Sequence, residues 1–145
     1  MSIFGKKAET PVKRQRILLN EKTPFAMMEA FKELRTNVMF SLPGTGCKCV
    51  GVTSPTPGDG KSTTAANLAI SLAQIGKRVI LIDCDLRLPT VSDSFRIQAV
   101  PGLSDFLVGQ ARIDETVRQV DAYKLSILPA GNLPPDPTGL LEDKQ

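Results

Sequence analysis

The chain has 145 residues and contains no histidine, no tryptophan, a single tyrosine and three cysteines. Without histidine there is no imidazole general base, no Ser-His or Cys-His nucleophile and no His-ligated zinc, so carboxylates, lysine and backbone amides must carry any chemistry. Cys47, Cys49 and Cys84 are odd in number and show neither CxxC nor Cys/His spacing. That excludes a zinc ribbon and suits the reduced thiols of a cytosolic protein. Long hydrophobic runs are also missing. Val79 to Ile82 is far too short to span a bilayer, and no signal-peptide core follows Met1 to Phe4, so a soluble, cytoplasmic chain is expected. Its 41% hydrophobic and 23% charged content are ordinary for one globular domain of this length.

Net charge is +3, and it is concentrated at one end: Lys6, Lys7, Lys13, Arg14 and Arg16 face only Glu9 within the first twenty residues. Residues 1–22 therefore read as a basic flexible arm. Without interleaved aromatics it reads first as a solvated tail, with nucleic acid or an anionic membrane face as the surfaces such a basic arm could touch.

From Thr23 onward the pattern becomes regular. Thr23-Pro24 reads as an N-cap with proline at the first helical position, and Met27, Phe31, Leu34 and Val38 recur on one face, predicting an amphipathic helix over 23–40. The other flank carries Glu29, Lys32 and Arg35. The run Lys48 to Thr53 has the character of a buried strand. Lys61 to Ile75 reads as a helix with Ala65, Leu68, Leu72 and Ile75 on one face and Gly76 beyond its end, and Val79 to Asp83 as the next strand. Residues 48–91 thus predict a right-handed βαβ unit whose parallel strands are neighbours. Pro89 to Phe95, Leu103 to Val108 and Asp114 to Val120 read as short helices, Leu125 to Leu128 as a third strand, 129–138 as a proline-rich connector, and Thr138 to Leu141 as the opening of a helix.

Gly58-Asp59-Gly60-Lys61-Ser62-Thr63, between the first strand and its helix, carries the strongest chemical signal. Glycines let consecutive N–H groups curl around an anion, the helix N-terminus adds its positive dipole end, Lys61 bridges β- and γ-phosphates and the Ser62 hydroxyl ligates Mg²⁺. A strict GxxxxGK[ST] pattern would require glycine where Pro55 stands. The second strand ends in Asp83-Cys84-Asp85-Leu86-Arg87, and strand C-termini are where ligands of parallel sheets bind, so Asp83 and Asp85 are expected beside Lys61 and Ser62. Acids there can hold Mg²⁺ through water and accept a proton from an attacking hydroxyl.

The stretches 29–38, 53–69, 79–91, 101–109 and 128–141 together resemble the bacterial tyrosine kinases of capsular and exopolysaccharide biosynthesis, the CpsD/CapB/Wzc cytoplasmic type. That family lies within the deviant Walker P-loop class of the MinD and ParA ATPases. The resemblance implies an α/β fold of the P-loop NTPase type, a three-layer sandwich around a mostly parallel sheet. It makes Pro57, Gly58, Asp59, Gly60, Lys61, Ser62 and Thr63 the ATP-binding Walker A loop. Asp83 and Asp85 become the Walker A′ acids, with Lys61, Asp83 and Asp85 catalytic, Asp83 favoured over Asp85 as metal partner and proton acceptor, and Ser62 and Asp83 holding Mg²⁺. Glu29, Lys32 and Arg35 match the family's Glu-x-x-Arg-x-x-Arg oligomerisation helix, with Lys32 in place of the first arginine and its bidentate fork lost.

The implied partners are a second copy of the chain and the cytoplasmic tail of a transmembrane polysaccharide co-polymerase, which would recruit the chain to the inner membrane face. The family continues into an Asp-Thr-Pro-Pro Walker B strand and a C-terminal tyrosine cluster. Neither motif occurs among these residues, where Tyr123 is the only tyrosine, so residues 23–145 are expected to be the front part of a kinase domain. Two other functions stay open: a nucleotide-binding fragment that is non-catalytic or only hydrolyses ATP, and a MinD/ParA-like ATPase switch. The switch group carries a lysine where this chain has Thr56.

Overall fold

The computed structural model describes residues 18–142. Most of the basic arm, Lys6 to Arg16 included, lies outside the described residues. Helix α1 (Phe25–Ser41) packs on α2 (Lys61–Gln74), which in turn covers strands β1 (Ile80–Ile82) and β3 (Leu125–Leu128). Short helices α3 (Val91–Phe95), α4 (Leu103–Leu107) and α5 (Ile113–Thr116) lead to strand β2 (Arg118–Val120), a 3-10 turn over Asp121–Tyr123, β3, and finally α6 (Pro137–Glu142). The sheet order is β1-β3-β2: β1 runs parallel to β3, with Leu81 opposite Ile127, and β2 runs antiparallel to it.

Burial explains this layering. Because α1 lies on one side of α2 and the sheet on the other, α2 is buried continuously from Ala66 to Ser71 instead of along the single stripe expected from Ala65, Leu68, Leu72 and Ile75. Ile70 and Ile127 are fully buried, each worth about 1.5–3 kcal/mol. They join Leu81, Leu125, Val91 and Phe95 in the main core, against which the α1 face of Met27 and Phe31 is half-buried. A smaller core of Leu86, Leu103, Leu128 and Ala130 lies around the end of β3. The segment before α1 is held down by Leu19, whose N–H donates to the buried Asn67 Oδ1 at 2.8 Å.

Several expectations are corrected. Residues 48–53 form no strand among the described residues. They carry no regular secondary structure and are largely exposed, with Val50 44% exposed, and no described strand pairs with them. The expected βαβ pair is therefore not formed, and β1 is an edge strand whose Ile80 and Ile82 stay half-exposed. Thr23 does not cap α1: Pro24 occupies the N-cap, and the Thr23 hydroxyl instead accepts from the Asn20 amide at 2.9 Å. The helix expected over 114–120 ends at Thr116, and Arg118 to Val120 turn into β2 to satisfy the outer edge of β3.

Candidate functional site

The turn between Ser54 and Lys61 owes its shape to two glycines in the left-handed region, Gly58 at φ 84° and Gly60 at φ 87°. Gly60 is also the N-cap of α2. A Cβ on either glycine would meet nothing within 4 Å, so backbone angle, not space, requires glycine there. The turn is tied internally by the Thr56 hydroxyl, which donates to Asp59 Oδ1 at 2.6 Å, and by the Ser54 hydroxyl, which donates to the Thr56 carbonyl at 3.0 Å. Left-handed residues leading into a helix gather amide donors into an anion-binding concavity, with the dipole of a fourteen-residue helix behind it.

Lys61 and Asp85 meet. Lys61 Nζ lies 2.9 Å from Asp85 Oδ2, so the end of β1 stands beside the loop although the loop's leading segment pairs with no described strand. Burial pushes the Asp85 carboxyl up, but hydrogen bonds from Lys61 and from the Leu88 and Arg87 amides outweigh it and hold the acid below its ordinary range.

Asp83 has a different setting. It is 4% exposed, and its oxygens accept the amides of Asp85 at 3.1 Å, Thr90 at 3.2 Å and Val91 at 3.1 Å. Its carboxylate thereby ties the start of α3 to the end of β1. One lone pair remains, on Oδ1, since each carboxylate oxygen can accept twice and Oδ2 already takes the Thr90 and Val91 amides. The Ser62 hydroxyl has no hydrogen-bond partner among the described residues and lines the same cavity as Lys61. One hydroxyl, one or two carboxylates and substrate phosphates are the donor set that Mg²⁺ usually takes, so these residues fit that ion.

The charged triple on α1 is split. Glu29 and Lys32 pair with each other at 2.7 Å on the exposed face, whereas Arg35 turns inward and donates to the Ser71 carbonyl at 2.9 Å and its hydroxyl at 3.2 Å. Arg35 staples α1 to α2. Sequence reasoning missed the wall opposite the loop, formed by Thr90, Phe95 and Arg96 with Tyr123. Arg96 carries no motif signal, and Tyr123 is brought there only by its edge-to-face contact with Phe95, centroids 5.5 Å apart.

Residues 50–134 match the family described as the CobQ/CobB/MinD/ParA nucleotide binding domain. The tyrosine-protein kinase YwqD of Bacillus subtilis (strain 168) is 42% identical over 116 residues, 80% of this chain and 49% of that protein. The tyrosine-protein kinase CpsD of Streptococcus agalactiae is 39% identical over 79% of this chain and 50% of its own length. The kinase domain of the Escherichia coli tyrosine kinase ETK superposes with a TM-score of 0.76 at 28% identity, covering 92% of this chain and 54% of that one. The chain spans about half the length of the curated relatives it matches. A family match across most of the described residues, on a chain whose glycine turn opens α2 and whose Lys61 meets the acid after β1, places this protein in the CobQ/CobB/MinD/ParA nucleotide-binding domain family.

Proposed function

We propose that the chain is the phosphate-loop part of an ATP-dependent protein-tyrosine kinase of the capsule and exopolysaccharide type. The carrying observation is the 2.9 Å approach of Lys61 to Asp85, which sets a phosphate-binding cation and an acid side by side where a γ-phosphate would arrive. In the reaction, a tyrosine phenol oxygen bonds to the γ-phosphorus, the bond from that phosphorus to the β,γ-bridging oxygen breaks, and ADP leaves. The phenolic proton goes to a carboxylate. Asp85 supplies it once entering phosphate draws Lys61 away, because loss of the lysine raises its basicity. The amides of Gly58 to Thr63 hold the β- and γ-phosphates, with Pro57 and Asp59 fixing the turn. Asp83 keeps the turn after β1 in place. Magnesium, held by Ser62 and by water on Asp83, would supply charge neutralisation.

Self-association falls to the outer face of α1, where Glu29, Lys32 and the 83%-exposed Phe40 point outward. The implied activator is the cytoplasmic tail of a transmembrane polysaccharide co-polymerase, with recruitment to the inner membrane face. Among the described residues no helix is long and apolar enough to cross a membrane. The test is phosphotransfer from radiolabelled MgATP to a tyrosine copolymer by this chain and by Lys61→Ala. Label transfer by the parent alone supports the kinase reading. Equal background in both, with ADP still bound by the parent, favours the binding fragment.

A further inference from the structure

Helix α2 covers one face of the sheet, where Leu81, Leu125 and Ile127 enter the main core. The smaller core covers the other face only around Leu128, at the end of β3. Because side chains alternate along a strand, Ile80 and Ser126 belong to that second face. They are register partners, and Ser126 also stands opposite Gln119 of β2, so the three form a row across the sheet. The row floors an open groove of about 400 Å³, which Arg78, Lys124 and Val117 also line. Ile80 is left 47% exposed there.

The groove is short of acceptors. Arg78 and Lys124 stand two residues before Ile80 and Ser126, so the parallel pairing of β1 with β3 brings both cations to one end of it. Neither side chain makes an ion pair among the described residues, and no acid lines the groove. Like charges held side by side without a counter-ion repel. Gln119 Oε1 accepts from the Ser126 hydroxyl at 3.0 Å, which leaves the Gln119 amide hydrogens as further donors. Cationic donors beside the apolar surface of Ile80 and Val117 call for an anionic ligand that is also apolar.

The row from Ile80 to Gln119 crosses three strands, roughly 10 Å at the usual strand spacing, which is longer than a single phosphate or carboxylate group. No aromatic side chain lines the groove, so nucleic-acid bases have no stacking platform. The chain's own N-terminal arm has the wrong sign of charge. The groove also lies where β1 begins, whereas Lys61 meets Asp85 beyond the end of that strand, so an occupant leaves the phosphate loop free.

We infer that this groove is a docking surface for an acidic segment of a partner protein, whose carboxylates pair with Arg78 and Lys124 and whose interspersed apolar side chains cover Ile80 and Val117. The test is fluorescence anisotropy on the whole chain with fluorescein-labelled peptides of alternating glutamate and leucine or alternating lysine and leucine, and with a labelled oligothymidylate. The parent should bind the glutamate peptide in preference to both others. Arg78→Glu with Lys124→Glu should weaken that binding about tenfold or more, whereas Lys22→Glu with Lys48→Glu, an equal change of net charge at exposed positions outside the groove, should leave it within about twofold. Ile80→Ser should weaken it about threefold or more by removing apolar contact. If the reversed pair lowers the urea midpoint, Arg78→Gln with Lys124→Gln takes its place.

Equal losses in the two charge-reversed pairs overturn the inference, because net charge alone then draws the peptide. Unchanged affinity in Ile80→Ser does so as well, since the apolar floor then plays no part. Tighter binding of oligothymidylate, lost in the same reversal, would assign the groove to nucleic acid, and a dimer of the parent that the reversal disperses would assign it to a second copy. No binding of the glutamate peptide by the parent overturns it outright.

Discussion

At Gly58 and Gly60 an added Cβ would meet nothing within 4 Å, whereas at Gly102 it would overlap the Gly131 nitrogen and the Pro129 oxygen. The first pair shapes an open turn whose donors face solvent. Gly102 belongs to a buried clamp, where Leu103 N–H donates to the Pro129 carbonyl at 2.7 Å and Ser104 N–H to the Ala130 carbonyl at 2.9 Å. The same residue type thus leaves room for a ligand in one place and lets two backbones touch in the other. The contrast predicts that Gly102→Ala costs about 3 kcal/mol or more of stability, because backbone must move to admit the methyl group. An unchanged urea midpoint would remove the distinction between the two regions.

Acids divide in the same way. Asp105 is 4% exposed and accepts from the Gly102 amide at 2.8 Å, the Asn132 amide at 3.2 Å and the Asn132 side chain at 2.7 Å. Truncation to Ala leaves those donors unpaired, at about 2–3 kcal/mol by denaturant titration. Burial pushes the Asp105 carboxyl up, and the Gly102 and Asn132 donors more than offset it, so its folded pKa lies below the unfolded value near 4. A depressed acid stabilises above the unfolded pKa, and that contribution is lost as pH falls through the folded pKa. The parent should therefore lose stability below about pH 4 more steeply than Asp105→Asn.

Backbone angle alone sets the next effect. Gly58→Ala faces no overlap, only the left-handed strain of φ 84°, about 1–2 kcal/mol. The open turn can relieve part of that by changing shape, so the larger reading is weaker ADP binding with a nearly unchanged urea midpoint. Loss of folding equal to that of Gly102→Ala would show the loop to be part of the core.

What could be read from residue order follows from the range of each interaction. The glycine loop, α2 and β3 were legible because their signals are local: left-handed glycines, a helix start at Lys61, and a short apolar run before Pro129. The 48–53 segment reads as a strand in isolation, yet strand pairing needs a neighbour, and none is described beside it. β2 was missed because three residues, Arg118 to Val120, are too few to display alternation, and only β3 makes them a strand. Arg35 and Asp83 were read as facing outward or toward a metal. Their partners, Ser71 and the amides of Thr90 and Val91, lie on other elements and carry no sequence signature.

The smallest effect bears on the open region itself. The Lys61–Asp85 pair is partly exposed, its side chains at 34% and 23%, so solvent screening limits its worth to less than about 1 kcal/mol, and Asp85→Asn should scarcely move the urea midpoint. Its consequence for binding has a definite sign. Phosphate must compete with Asp85 for the Lys61 ammonium, and a neutral amide competes poorly. Asp85→Asn should therefore bind ADP more tightly in EDTA, by up to about fivefold, the equivalent of 1 kcal/mol. With magnesium present the gain should shrink, because the cation then shares with Lys61 the neutralisation of the phosphates. Weaker binding in EDTA would mean that Asp85 aims Lys61 at the phosphates instead of withholding it, and the pair would then be part of the cradle.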